Sequence, residues 1–206
     1  MLIERNGKTP RVHVSARVAP SASIVGNVAI GARAYVDYGV VIESSGPLIE
    51  VAEEVIVFAG TIIRSVGGGS RPAFQVRVGR RTLISPLCVL TGCEIGSNCY
   101  VATGAIVLQG ATVGDHARVG AGAIVHATTV LPERARVGMR HLAVPTDDGF
   151  LSTGDVEQAR GIVAGMDFFE TAFRAAGDDQ AELHAQVMST LLEEVHDWQD
   201  TPVLVT

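Results

Sequence analysis

The sequence predicts a mainly β fold, a parallel β-helix of hexapeptide repeats with C-terminal α-helices. Three observations carry that expectation. Aliphatic residues recur at a strict six-residue interval, only 5% of residues are aromatic, and the spacing turns helical after Pro145. The 206 residues favour one domain plus an appendage, and 47% apolar residues are ample for a core. We expect a β-helix domain over residues 1–145 and a helical appendage over residues 146–206.

The recurrence starts at Val12 and runs through Val18, Ile24, Ile30, Val36 and Ile42. It slips by three residues and resumes at Val51, Val57 and Ile63. After a break it returns at Val78, Ile84 and Leu90. A five-residue step then leads to Ile95, Val101, Val107, Val113, Val119 and Val125, with a weaker echo at Leu131, Val137 and Ala143. Neither a helical nor a plain strand period explains a strict six. One short strand and one turn per side of a triangular prism does, with the aliphatic residues inward and stacked coil on coil. About seven coils fit between Val12 and Ala143. Gly31, Gly96 and Gly114 follow aliphatic positions, which suggests corners that need unusual backbone angles.

The break at residues 65–75, SVGGGSRPAFQ, reads as a Gly-rich loop that leaves one corner and returns. It has neither the Lys nor the strand–loop–helix setting of a P-loop. Farther on, Val156, Ala159, Val163, Met166, Phe169 and Phe173 lie at helical spacing. A second stripe, Leu183, Val187, Leu191, Val195 and Trp198, follows a cap at Asp178 or Asp179. Both stripes read as packing faces, against the prism or a neighbouring subunit. The tail TPVLVT is apolar enough to pair or dock.

A formal charge of −6 without a Lys or Arg run argues against nucleic acid as a partner. No apolar stretch reaches the roughly 18–20 residues that span a bilayer, so no membrane partner is expected. The start, MLIERNGKTP, has no signal-peptide core, and a cytoplasmic location is the expectation. Cys88, Cys93 and Cys99 lack zinc-knuckle spacing and read as small apolar fillers of a narrow core.

The stretches RVHVSARVAPSASIVGNVAIGARAYV, GPLIEVAEEVIV, LTGCEIGSNCYVATGAIV and VGAGAIV carry a family likeness. From about Val12 to Pro145 the chain resembles the γ-class carbonic anhydrase-like proteins of the hexapeptide acyltransferase superfamily. The resemblance implies a left-handed prism, a homotrimer, and active sites in clefts between adjacent prisms. It also implies metal-binding histidines at the positions of Arg64, Pro86 and Thr91, an Arg-x-Asp pair where Glu43, Ser44 and Ser45 stand, and a Gln-Asp pair at Phe58 and Ala59. None of the three ligand positions is a histidine. Arg and Pro cannot serve as ligands, so no metal and no carbonic anhydrase activity is expected.

The repeat also sets residues of one phase in columns. Glu43, Arg64, Thr91, Leu108 and His126 each follow one column of aliphatic residues, with coils about 4.8 Å apart. Glu43 and Arg64 should therefore meet. As catalytic candidates, Arg64 would grip a carboxylate, Glu43 would orient it or move a proton, and His126 would be the base of an acyltransferase. Ser45, Phe58, Pro86, Leu87 and Thr91 are the substrate-binding candidates, with an apolar wall suited to an organic ligand.

Three readings stay open. One is a metal-free enzyme or binding protein with an inter-subunit cleft for a small carboxylated or acyl substrate, acting as a transferase, hydrolase or lyase. Another is a hexapeptide acyltransferase with acyl-CoA as co-substrate and no other cofactor. The third is a non-catalytic scaffold trimer.

Overall fold

The computed structural model describes residues 1–203 except 70, 167–169, 171, 172, 174 and 178. Short strands wind into a left-handed parallel β-helix of about eight turns, with three sheets as the faces of a prism. On the first face Ile24, Ile42, Ile63, Leu90, Val107 and Val125 stack in register. The second face stacks Ile30, Val51, Val78, Ile95, Val113 and Leu131. The third stacks Val36, Val57, Ile84, Val101, Val119 and Val137. All of these side chains are buried. β-Branched residues suit this role, because a side chain fixed at χ1 packs well on a pleated surface. The three cysteines are free and buried among them.

Irregular steps in the period have local causes. The three-residue slip after Ile42 forms a wide corner tied by two buried serines. Ser44 Oγ and Ser65 Oγ donate to the Pro47 carbonyl at 2.8 and 2.7 Å. At the five-residue step the corner tightens on Gly92, where a Cβ would meet Phe74 Cβ at 2.5 Å; its φ of +51° lies in the left-handed region that L residues such as Asn98 and Thr128 also occupy.

Two expectations need correction. Gly31, Gly96 and Gly114 are not in the left-handed region. A Cβ on Gly31 would stand 2.7 Å from the Ala52 and Glu53 backbone, and one on Gly114 would stand 2.6 Å from Glu133 N. Close approach of the next coil, not backbone angle, demands glycine there. Residues 65–75 are not a simple loop either. Strand Ile62–Gly68 turns back through Arg71–Phe74 as an antiparallel hairpin projecting from the corner between the first and second faces. The first coil begins with Leu2–Arg5, which adds a strand in parallel to Ser23–Val25.

At the far end, strands Leu142–Thr146 and Gly149–Thr153 close the first face as an antiparallel pair. Helix α1, Val156–Val163, follows with Asp155 as its cap. Helix α2, Gln180–His196, is capped by Asp179, whose carboxylate accepts from the backbone N–H groups of Ala181 and Glu182. Asp178 and Phe169 lie outside the described residues. Leu183 and Val187 of α2 are buried with Ala175 in a small cluster separate from the prism core. Val156 and Val195, expected to face a core, are exposed. Beyond α2, Asp200–Val203 returns to the start of the prism and pairs antiparallel with Leu2–Arg5.

Candidate functional site

The site grows from the edge of the first face. Arg64 and Glu43 are register partners on adjacent coils, and Arg64 Nε lies 3.2 Å from Glu43 Oε2. Arg5, at the end of the first strand, donates from Nη1 to Glu43 Oε1 at 2.6 Å. Its Nε and Nη2 donate to Asp200 Oδ1 and Oδ2 at 2.6 and 2.7 Å, a bidentate pair. The same guanidinium lies 4.0 Å from the centroid of the Trp198 ring. The Arg5 side chain is 9% exposed, whereas that of Arg64 is 41% exposed. The Arg5 guanidinium holds the Asp200 carboxyl below its ordinary range. Glu43 thus acts as counter-ion to two arginines, and Arg5 ties both chain ends to the site.

Beside this cluster lies a pocket of about 430 Å³ between the first face, the hairpin and α2. The prism contributes Ser45, Arg64, Thr91 and Leu108, and the hairpin contributes Arg71 and Phe74. Phe173, Leu191, Val195 and Trp198 make the outer wall apolar. Arg71 is committed to that wall. Its guanidinium forms a bidentate pair with Glu194 of α2, with Nε donating to Oε1 at 2.6 Å, and lies 5.1 Å from the Phe173 centroid. Arg64 makes no such bidentate pair, and it shares its counter-ion Glu43 with Arg5. Its Nε is buried without a hydrogen-bond partner among the described residues, while the exposed remainder lines the pocket. Ser45 and Thr91 direct their hydroxyls to the carbonyls of Ser65 at 3.0 Å and Val107 at 3.4 Å. The arrangement can therefore seat an anion on Arg64 with an apolar body against aromatic rings.

The structure thus brings together Glu43, Arg64, Ser45 and Thr91. It does not place Phe58, Pro86 or Leu87 beside them. These stand at the other edge of the first face, at the corner shared with the third, where Leu87 is 64% exposed. Within one chain the apolar wall comes instead from the hairpin and the C-terminal segment. His126 continues the column past Leu108 without lining the pocket, and its Nδ1 is buried with no hydrogen-bond partner among the described residues. Arg5, Phe74, Trp198 and Asp200 were not foreseen from the sequence. Of these, Phe74 left a trace there as an aromatic residue inside the break in the repeat, and Trp198 as the last residue of the second helical stripe.

Zinc does not fit the implied ligand positions. Arg64 and Thr91 are neighbours on adjacent strands, Pro86 lies at a different corner, and the set offers no imidazole, thiolate or carboxylate. Among the described residues no group of three His, Cys, Asp or Glu side chains could hold a metal ion. Burial pushes the Cys93 thiol up to about 12, which suits a core filler. No described helix is long and apolar enough to cross a membrane.

Fold and repeat together define a hexapeptide-repeat left-handed β-helix protein. Residues 92–127 match the family described as Bacterial transferase hexapeptide (six repeats). The chain is similar in structure to a hexapeptide transferase family protein from Anaplasma phagocytophilum, at 20% identity over 93% of each chain and a TM-score of 0.50. It is also similar to a UDP-N-acetylglucosamine O-acyltransferase from Moraxella catarrhalis RH4, at 16% identity over 91% of each chain and a TM-score of 0.50. At these identities the likeness is one of fold.

Proposed function

We propose that this protein is a metal-independent homotrimer that binds a small carboxylated or acyl organic ligand at the pocket beside Arg64. The observation that carries this reading is the exposed part of the Arg64 guanidinium, which lines an aromatic-walled pocket while its buried Nε lies 3.2 Å from Glu43 Oε2 without a hydrogen-bond partner among the described residues. Arg64 grips the carboxylate, Glu43 orients Arg64, and Ser45 and Thr91 border the anion. The reaction classes compatible with these residues are transfer, hydrolysis or elimination on a carboxylated substrate.

Two outward faces support the trimer. Tyr35, Ile56, Leu83 and Tyr100 form an apolar ladder on the third face, between Arg17 at one end and Arg118 and Arg136 at the other, and Val41, Ile62, Val89 and Ile106 form one on the first. The second face carries Glu50, Arg77 and Glu94 in the same register, as a solvent-facing surface would. A lone prism would leave the apolar ladders in water.

Acyl transfer from acyl-CoA, with His126 as base, is the second reading. The match of residues 92–127 to the transferase family favours it, as does His126 Nδ1, which has no hydrogen-bond partner among the described residues.

A thermal-shift series with small carboxylates, acyl-CoAs and zinc tests the proposal. A ligand at 100 times its Kd adds about 2.7 kcal/mol, and carboxylates or acyl-CoA are expected to do so. Stabilisation by zinc alone would overturn the reading.

A further inference from the structure

A second cavity of about 410 Å³ opens on the far side of the hairpin, lined by Pro47, Leu48, Gln75 and Glu94 among others. Phe74 borders both this cavity and the one beside Arg64. The side chain lies against two stacked glycines of the shortened corner. A Cβ on Gly92 would meet Phe74 Cβ at 2.5 Å, and one on Gly110 would lie 3.5 Å from Phe74 Cε1. Any larger residue at Gly92 would push Phe74 away, so the bare corner is what lets the side chain stand as a partition. The two chambers differ in charge. Arg64 and the Arg71–Glu194 ion pair border the first, so Arg64 is its one basic group outside that pair, while the second has a carboxylate, Glu94, and no basic side chain among its lining residues. A carboxylated ligand that enters this region must put its head by Arg64 and run its tail toward Phe74.

We propose that Phe74 is a specificity-determining residue that limits the ligand to a compact carboxylate by closing the way into the second cavity. This inference rests on the reading of the Arg64 pocket as a carboxylate site. With Phe74 in place, the tail must end within the first chamber. With the ring removed, the two chambers join, and longer straight chains lie along the corner beneath the hairpin.

The test is isothermal titration of straight-chain carboxylates from butyrate to palmitate into the full-length protein, as wild type, Phe74→Ala and Phe74→Trp. Wild type should bind the shorter acids about fourfold tighter per buried methylene, until the chain reaches Phe74 and the gain stops. Phe74→Ala should carry the gain on to longer acids, and Phe74→Trp should stop it sooner. Melting temperatures close to wild type show that both variants remain folded. Should the three proteins share one length limit while all bind the short acids, the partition role is wrong and the carboxylate site stands. Should wild type bind none of the acids, the carboxylate site itself is wrong and this inference falls with it.

Discussion

At Arg5 a single guanidinium divides its donors between two carboxylates, 38 and 195 residues away in sequence. Nothing in a local pattern marks such a residue, because its partners meet it only after the prism has wound and the tail has returned. Glu43 and Arg64 differ in this respect. Their contact follows from the period alone, since residues of one phase stack on adjacent coils. Acid provides a test of the Arg5 cluster. Asp200 is held below its ordinary value of 3.8 by the hydrogen bonds from Arg5. A lowered folded-state pKa means that its stabilisation is present above the ordinary aspartate range and is lost as pH falls through the lowered value. Trp198 stacks on the same guanidinium, so its fluorescence should shift in that acid window before the β-sheet circular dichroism changes. Asp200→Asn should show the shifted emission already at neutral pH. Identical acid profiles for the two proteins would remove Asp200 from the clamp.

Elements were legible to the degree that their causes are local. The inward columns could be read because only aliphatic side chains fill so narrow a core, and each coil repeats the demand. The hairpin could not. Its strands include Gly67, Gly68 and Pro72 and show no clean alternation, so SVGGGSRPAFQ looks like loop until Phe74 pairs with Val66. The corner glycines were recognised but for the wrong reason, because approach of the next coil is a property of stacking. Helix α2 was anticipated from its stripe, yet only Leu183 and Val187 of that stripe are buried. The tail's apolar character suggested that it would dock. Its partner was hidden, since the edge that it covers exists only because Leu2–Arg5 begins the first coil. Strand Asp200–Val203 shields that edge from pairing with other chains.

For the whole molecule, the unequal outer faces argue for assembly. Light scattering is expected to give the mass of three 21.6 kDa chains. Leu87→Glu places a charge on the exposed corner between the two apolar faces, and should shift the protein toward monomer without unfolding the prism. A wild-type monomer would contradict the assembly. The site depends on the whole molecule in another way, since its pocket needs the prism, the hairpin and the C-terminal segment together. The most direct measurement of the central claim is calorimetric titration of the carboxylate that stabilises the protein best, into wild type and Arg64→Ala. Arg64→Ala should lose at least about tenfold in affinity, the scale of one charge-assisted contact. Its melting temperature should stay near that of wild type, because Arg64 is half exposed. Equal affinity in the two proteins would contradict the assignment of Arg64 as the anion-binding residue.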